Sequence, residues 1–93
     1  MKMNNLQVGD YFHNSNGKDY KIIAVYEFKE NKNGRWACCI LKNPSNGEYI
    51  VAKHIMKTDE GYARGWAFGY YTSNLEEAKK EFIRYAQLIN ISE

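Results

Sequence analysis

A single proline, Pro44, interrupts ninety-three residues, and only seven are glycine. Disordered and linker-like chains are far richer in both, and the 44% hydrophobic content is too high for a tail that stays unfolded. No apolar run reaches the ~18 residues of a membrane span, and no charged-then-apolar leader reads as a signal peptide. Charge of one sign is missing as well. Thirteen Lys+Arg stand against eleven Asp+Glu, a net charge of +2. The stretch up to Gly47 is mildly basic and the remainder nearly neutral, without the basic cluster that marks a nucleic-acid face. One small domain covering residues 1–93 is expected, with a single core and too little bulk for a deep catalytic cleft.

Catalytic and metal-binding patterns are equally sparse. The two cysteines, Cys38 and Cys39, are adjacent, and strand neighbours point to opposite faces, so they cannot readily pair or share a metal. They read as two buried free thiols of a cytoplasmic protein. His13 and His54 are the only histidines, and neither has a second ligand at metal-like spacing. A cross-strand Cys39–His54 pair is conceivable, but nothing in the sequence activates the thiol. There is no paired-carboxylate motif, phosphate-binding glycine loop or nucleophile elbow. The expectation is a protein that is not an enzyme and needs no cofactor or metal.

What is abundant is aromatic side chain, 15% of the chain, and Asn-Gly. Asn16-Gly17, Asn33-Gly34 and Asn46-Gly47 sit between runs rich in aromatic and β-branched residues, and each reads as a two-residue type I′ hairpin turn. The runs around 11–13, 20–26, 36–41 and 49–52 predict a four-stranded antiparallel meander. A fifth strand is expected around 66–71, after a polar loop near Thr58 to Gly61. From Ser73 the period changes. Ser73 or Asn74 can cap a helix over 73–90, with Glu76 or Glu77 completing a capping box. Leu75, Ala78, Phe82, Tyr85, Ala86 and Ile89 then form one apolar stripe, and Glu76–Lys80 is a favourable pair on the other face. The fold class is α+β, a five-stranded antiparallel meander followed by one amphipathic helix packed on it. Leu6-Gln7-Val8-Gly9-Asp10 is a phrase common in SH3-like barrels, so a strongly curved or half-barrel sheet is expected; residues 1–5 are polar and expected to fray.

Two-residue turns place Tyr20, Ile22, Ala24, Tyr26, Phe28, Cys39, Leu41, Ala52 and His54 on one face, with His13 opposite Tyr20. Ile23, Val25, Trp36, Cys38, Ile40, Val51 and Ile55 fall on the other, beside Glu27 and Lys53. Both faces are thus apolar, yet one helix covers only one. The second face is left to a curled half-barrel, to a homodimer interface or to a partner. A four-residue turn over Asn43 to Asn46, which Pro44 favours, would change this register.

Tyr62, Arg64, Trp66, Tyr70 and Tyr71, with Lys53, His54 and Arg35, form the candidate partner-binding set. Tyr, Trp and Arg dominate protein interfaces because they bury large area at low entropic loss. The same residues could stack bases and meet phosphates, so a small nucleic-acid or nucleotide binder is the alternative. Trp66 and Phe68, alternating with Ala67 and Gly69, could also simply pack one face of the sheet.

Val8-Gly9-Asp10, Gly17 with Tyr20, Trp36, Gly47-Glu48-Tyr49-Ile50-Val51-Ala52, Gly65-Trp66, Gly69-Tyr70 and the Leu75, Ala78, Phe82 helix together resemble small proteins carried by phages and mobile elements of low-GC Gram-positive bacteria. Such proteins include inhibitors of host defence systems, anti-CRISPR proteins among them. The resemblance implies a cytoplasmic inhibitor that occludes a surface of a host protein such as a nuclease complex. The near-neutral charge departs from the acidic, DNA-mimicking kind.

Overall fold

The computed structural model describes residues 4–32 and 35–91, with the side chains of 29–32, 35–36 and 88–91 left aside. Its order is β1 (Tyr11–His13), β2 (Asp19–Lys32), β3 (Arg35–Lys42), β4 (Tyr49–Ile55), β5 (Lys57–Thr58), β6 (Gly61–Tyr62), β7 (Phe68–Thr72) and α1 (Leu75–Ile91). Five strands form one antiparallel sheet in the order β1-β2-β3-β4-β7, and β5 and β6 form a separate hairpin. The fold is therefore α+β with the helix on the sheet. The sheet stays open, with β1 and β7 at its edges, rather than closing into a barrel.

The Asn-Gly loops differ from type I′ turns. Asn14 N–H bonds the Lys18 carbonyl and Gly17 N–H the Asn14 carbonyl; likewise Asn43 N–H bonds Glu48 and Gly47 N–H bonds Asn43. Only the glycines, Gly17 at φ 89° and Gly47 at φ 75°, take the left-handed conformation, which type I′ would also demand of the asparagines. The Asn14, Asn16, Asn43 and Asn46 side chains instead accept N–H bonds from residues two further on. Asn33-Gly34 lies outside the described residues.

These longer loops move the register. His13 faces Asp19, not Tyr20, and Cys39 faces Ala52, not His54. A bulge between Ile22 and Ala24 turns Ala24, Tyr26 and Phe28 to the face opposite Ile22, and a further offset follows between Glu27 and Lys32. A second bulge within β4, where His54 adopts φ 62°, swings Ile55 onto the face of Cys39.

Each face then acquires its own cover. On one, Cys38 and Phe28 meet Phe82 and Tyr85, while Ile40 and Val51 meet Ala78 and Phe82 of α1. The helix begins where Asn74 Oδ1 accepts the N–H groups of Glu76 and Glu77 at 2.8 and 3.2 Å. Lys53 reaches up to Glu81 at 2.5 Å. Glu76 pairs with Lys79 at 3.7 Å, one residue earlier than the helical spacing suggested.

On the other face, Phe12, Tyr20, Ile22, Ala37, Cys39, Leu41, Ile50, Ala52 and Ile55 form the main core, closed by Tyr62 with Leu6, Val25 and Trp66. The segment 56–67, including the β5–β6 hairpin, therefore crosses this face as a strap. The apolar surface expected to need a barrel, a second copy or a partner is covered by the chain itself. Asn4 fixes the strap. Although it falls in the stretch expected to fray, it is buried and pairs with Tyr62 backbone to backbone in both directions at 2.9 Å. Its side chain accepts the His13 N–H and donates to the carbonyls of His13 and Ala63.

Candidate binding surface

The two sheet edges are unlike. Along β1, the Arg64 side chain donates to the carbonyls of His13 and Asn14, and Ser15 N–H bonds the Arg64 carbonyl. With Asn4 bonded to both backbone groups of His13, that edge is occupied. Among the described residues, strand β7 hydrogen-bonds β4 on one side only. Its sequence, Phe68-Gly69-Tyr70-Tyr71-Thr72, contains no charge and no proline, the devices by which natural edge strands discourage pairing. Phe68, Tyr70 and Tyr71 are all exposed, Phe68 to 65% and Tyr71 to 55%.

The side chains of β7 divide between the two faces. Tyr70 faces Val51 on the α1 side, near Arg84. Tyr71 faces Ile50 on the strap side, where its hydroxyl accepts a 3.4 Å bond from Trp66 Nε1. Gly69 makes that contact possible. A Cβ there would stand 2.8 Å from Trp66 Nε1 and 2.9 Å from the Tyr71 ring. Trp66 anchors the strap by its tilted contact with Phe12 at 5.7 Å and an edge contact with Tyr20 at 5.9 Å. Beside it opens a hollow of about 270 Å³ lined by His54, Met56, Ala63, Gly65, Trp66 and Ala67. The His54 ring, held at the rim by the β4 bulge, lies 6.1 Å from Phe68. Tyr71 and Trp66 thus stand with the hollow on the strap side, whereas Phe68, opposite Lys53, projects to the α1 side of β7 with Tyr70 and meets the hollow's rim through the His54 ring.

Of the candidate residues, Trp66, Tyr71 and His54 come together here, with Tyr70 on the same strand but the opposite face. The others lie elsewhere. Tyr62 is buried, its hydroxyl donating to the Glu27 carboxylate, and burial with that bond raises its pKa well above the ordinary tyrosine value. It borders a hollow of about 340 Å³ shared with Asn4, Leu6, Lys57 and Glu60. Lys53 sits under α1, its ammonium 5.2 Å from the Tyr85 ring and bonded to Glu81. Arg64 caps the β1 edge, and the Arg35 side chain lies outside the described residues. Sequence reasoning passed over Phe68 and Met56. The alternation with Ala67 and Gly69 reads Phe68 as packing beside Trp66, yet Trp66 turns inward and Phe68 outward. The available signal was a strand with three aromatics and no charge.

The thiols are not poised for chemistry. Burial pushes Cys38 up to about 12 and Cys39 higher still, and Cys39 has Ala52, not His54, across from it. Among the described residues no group of three His, Cys, Asp or Glu is placed to hold a metal ion, and no helix is long and apolar enough to cross a membrane. No known protein family, curated protein or solved structure matches this chain.

Proposed function

We propose that this protein is a non-enzymatic binding module that captures an extended segment of a partner protein by strand addition at β7. The observation that carries the reading is an uncharged, proline-free edge strand whose exposed aromatics adjoin an apolar hollow. Main-chain hydrogen bonds along an edge supply affinity, and neighbouring pockets supply side-chain selectivity. Phe68, Tyr71, Trp66 and Met56 are the anchors of this reading, and the hollow beside Trp66 receives one apolar side chain. In a phage or mobile element, the setting that the sequence resemblance implies, such capture would inhibit a host defence nuclease by covering a surface it works through.

Selection of random dodecapeptides displayed on yeast, followed by amide hydrogen exchange of the purified complex, tests this. Enriched peptides should slow exchange in β7. Their binding should change little between 0.05 and 0.5 M salt, and fall by about tenfold or more in Phe68→Ala/Tyr71→Ala. Peptides that bind without protecting β7, or a parent protein that is already a dimer with β7 protected, would overturn the reading.

A further inference from the structure

The face beneath α1 carries a second surface, at the end of the sheet that the helix leaves open. Register places Tyr11, Lys21, Lys42 and Tyr49 in one row across β1, β2, β3 and β4. Directly opposed residues of antiparallel strands project to the same side, so the two lysines stand as immediate neighbours between two tyrosines. The row spans three inter-strand steps, about 14 Å. It shares its face with Ile23 and Ala24, which pack toward Ala78, while α1 itself lies over β3, β4 and β7. Tyr11 and Lys21 are exposed; Lys42 and Tyr49 are half-buried.

Like charges placed directly opposite each other on a sheet are destabilising. Lys53 and Arg84 are compensated by Glu81, and Lys79 by Glu76. Lys21 has no ion pair or hydrogen bond among the described residues, and Lys42 has only the Tyr49 ring, 5.7 Å from its ammonium. Two carboxylates adjoin the row on this face: Asp19, two residues along β2 from Lys21 and bonded to His13 Nδ1 at 2.7 Å, and Glu77, bonded to Thr72 beyond Tyr49. A lysine pair without an ion pair among the described residues, flanked by aromatic rings, suits a chain of phosphates bearing bases able to stack.

We infer that Tyr11, Lys21, Lys42 and Tyr49 form a binding site for single-stranded nucleic acid, with two phosphates on the lysines and a base on the Tyr11 ring. The site is separate from β7 and stands whether or not strand addition occurs there. It also lies apart from the residues that the sequence offered for nucleic acid, which included Arg35, Lys53 and Arg64.

The test is fluorescence anisotropy with a labelled twelve-nucleotide oligothymidylate from 25 to 200 mM salt, repeated with the oligouridylate to separate DNA from RNA. Two phosphate contacts give a slope of log K against log salt near −1.4, which is about a sevenfold loss of affinity between 50 and 200 mM. Lys21→Gln and Lys42→Gln should each lower the slope by about 0.7. Tyr11→Ala should weaken binding about fivefold or more and leave the slope unchanged. Both lysine variants should melt no lower than the parent, because each relieves the apposed charges. Absence of binding at 25 mM salt would overturn the inference. So would binding by the double lysine variant equal to the parent's, or a duplex bound as tightly and as indifferently to Tyr11→Ala.

Discussion

Asn4→Ala removes one side chain three residues from the start of the sequence, and it should be among the most damaging substitutions in the protein. The amide makes three hydrogen bonds, to His13 N–H at 2.7 Å, the His13 carbonyl at 3.2 Å and the Ala63 carbonyl at 3.1 Å. The residue is 2% exposed, so water does not replace it without opening the strap. A neutral hydrogen bond contributes about 1 kcal/mol net, and a buried group left unpaired forfeits about 1–3 kcal/mol. The His13 carbonyl keeps its bond from Arg64, which limits the damage to the other two groups. A loss of about 3 kcal/mol follows, a large share of the roughly 5–14 kcal/mol expected for a domain this size. Urea unfolding followed by tryptophan fluorescence measures it, and a melting-temperature drop of about 12–24 °C should accompany it. Asn4→Asp separates hydrogen bonding from volume. Its second oxygen would face two carbonyls, and burial raises the pKa of such a carboxyl. Its deficit against the parent should therefore be largest near neutrality and shrink on acidification, as the protonated acid regains a donor. A loss under about 0.5 kcal/mol in Asn4→Ala, the result a frayed terminus would give, refutes the argument.

Three further outcomes follow from the geometry. Cys38 and Cys39 should resist Ellman's reagent at pH 8 in the native protein and react at the rate of unfolding, because both thiols are buried and their ionisation is pushed to high pH. His54 occupies the left-handed region, which is unfavourable by about 1–2 kcal/mol for a residue with a Cβ. In thermal melts, His54→Gly should equal or slightly exceed the parent, while β-branched His54→Val should lose about 1–2 kcal/mol. Glu81 is held below the usual glutamate range by Arg84, and also by Lys53, against the opposing effect of burial. Its contribution is complete above the unfolded value of about 4.3 and is lost as pH falls through the lower folded value, so Glu81→Gln should flatten the acid limb of the stability profile.

The elements were legible in the sequence where local pattern alone decides. Leu75, Ala78, Phe82 and Tyr85 repeat at helical spacing, and Asn74 is a capping residue by its chemistry, so α1 could be placed within two residues. The strands announced themselves by β-branched and aromatic runs. Register did not, because it depends on loop closure by Asn14 and Asn43, whose carbonyls and side chains lengthen the turns around a single left-handed glycine. One residue of slip at Ile23 then reassigns Tyr26 and Phe28 to the other layer. The strap was invisible for a different reason. Two-residue strands carry no periodicity, and only the tertiary pairing of Asn4 with Tyr62 makes the polar stretch near Thr58 a cover for the core. Trp66, Tyr71 and His54 could be nominated by residue type, but their convergence depends on the β4 bulge and on the space left by Gly69.

The bulge at Ile23 also has a mechanical consequence. Ile22 belongs to the layer under the strap, while Ala24, Tyr26 and Phe28 belong to the layer under the helix. A single continuous strand is therefore stitched through both layers, and neither can separate without pulling on the other. Loosening the helix should propagate along β2 into the aromatic cluster beneath Trp66, so the protein should melt in one step by every probe. Deleting Ile23 would remove the bulge and leave the flanking pairs, Ile22 with Leu41 and Ala24 with Ile40, in register. Tyr26 and Phe28 should then stay under the helix, and the loss should be confined to the packing of Ile23 itself.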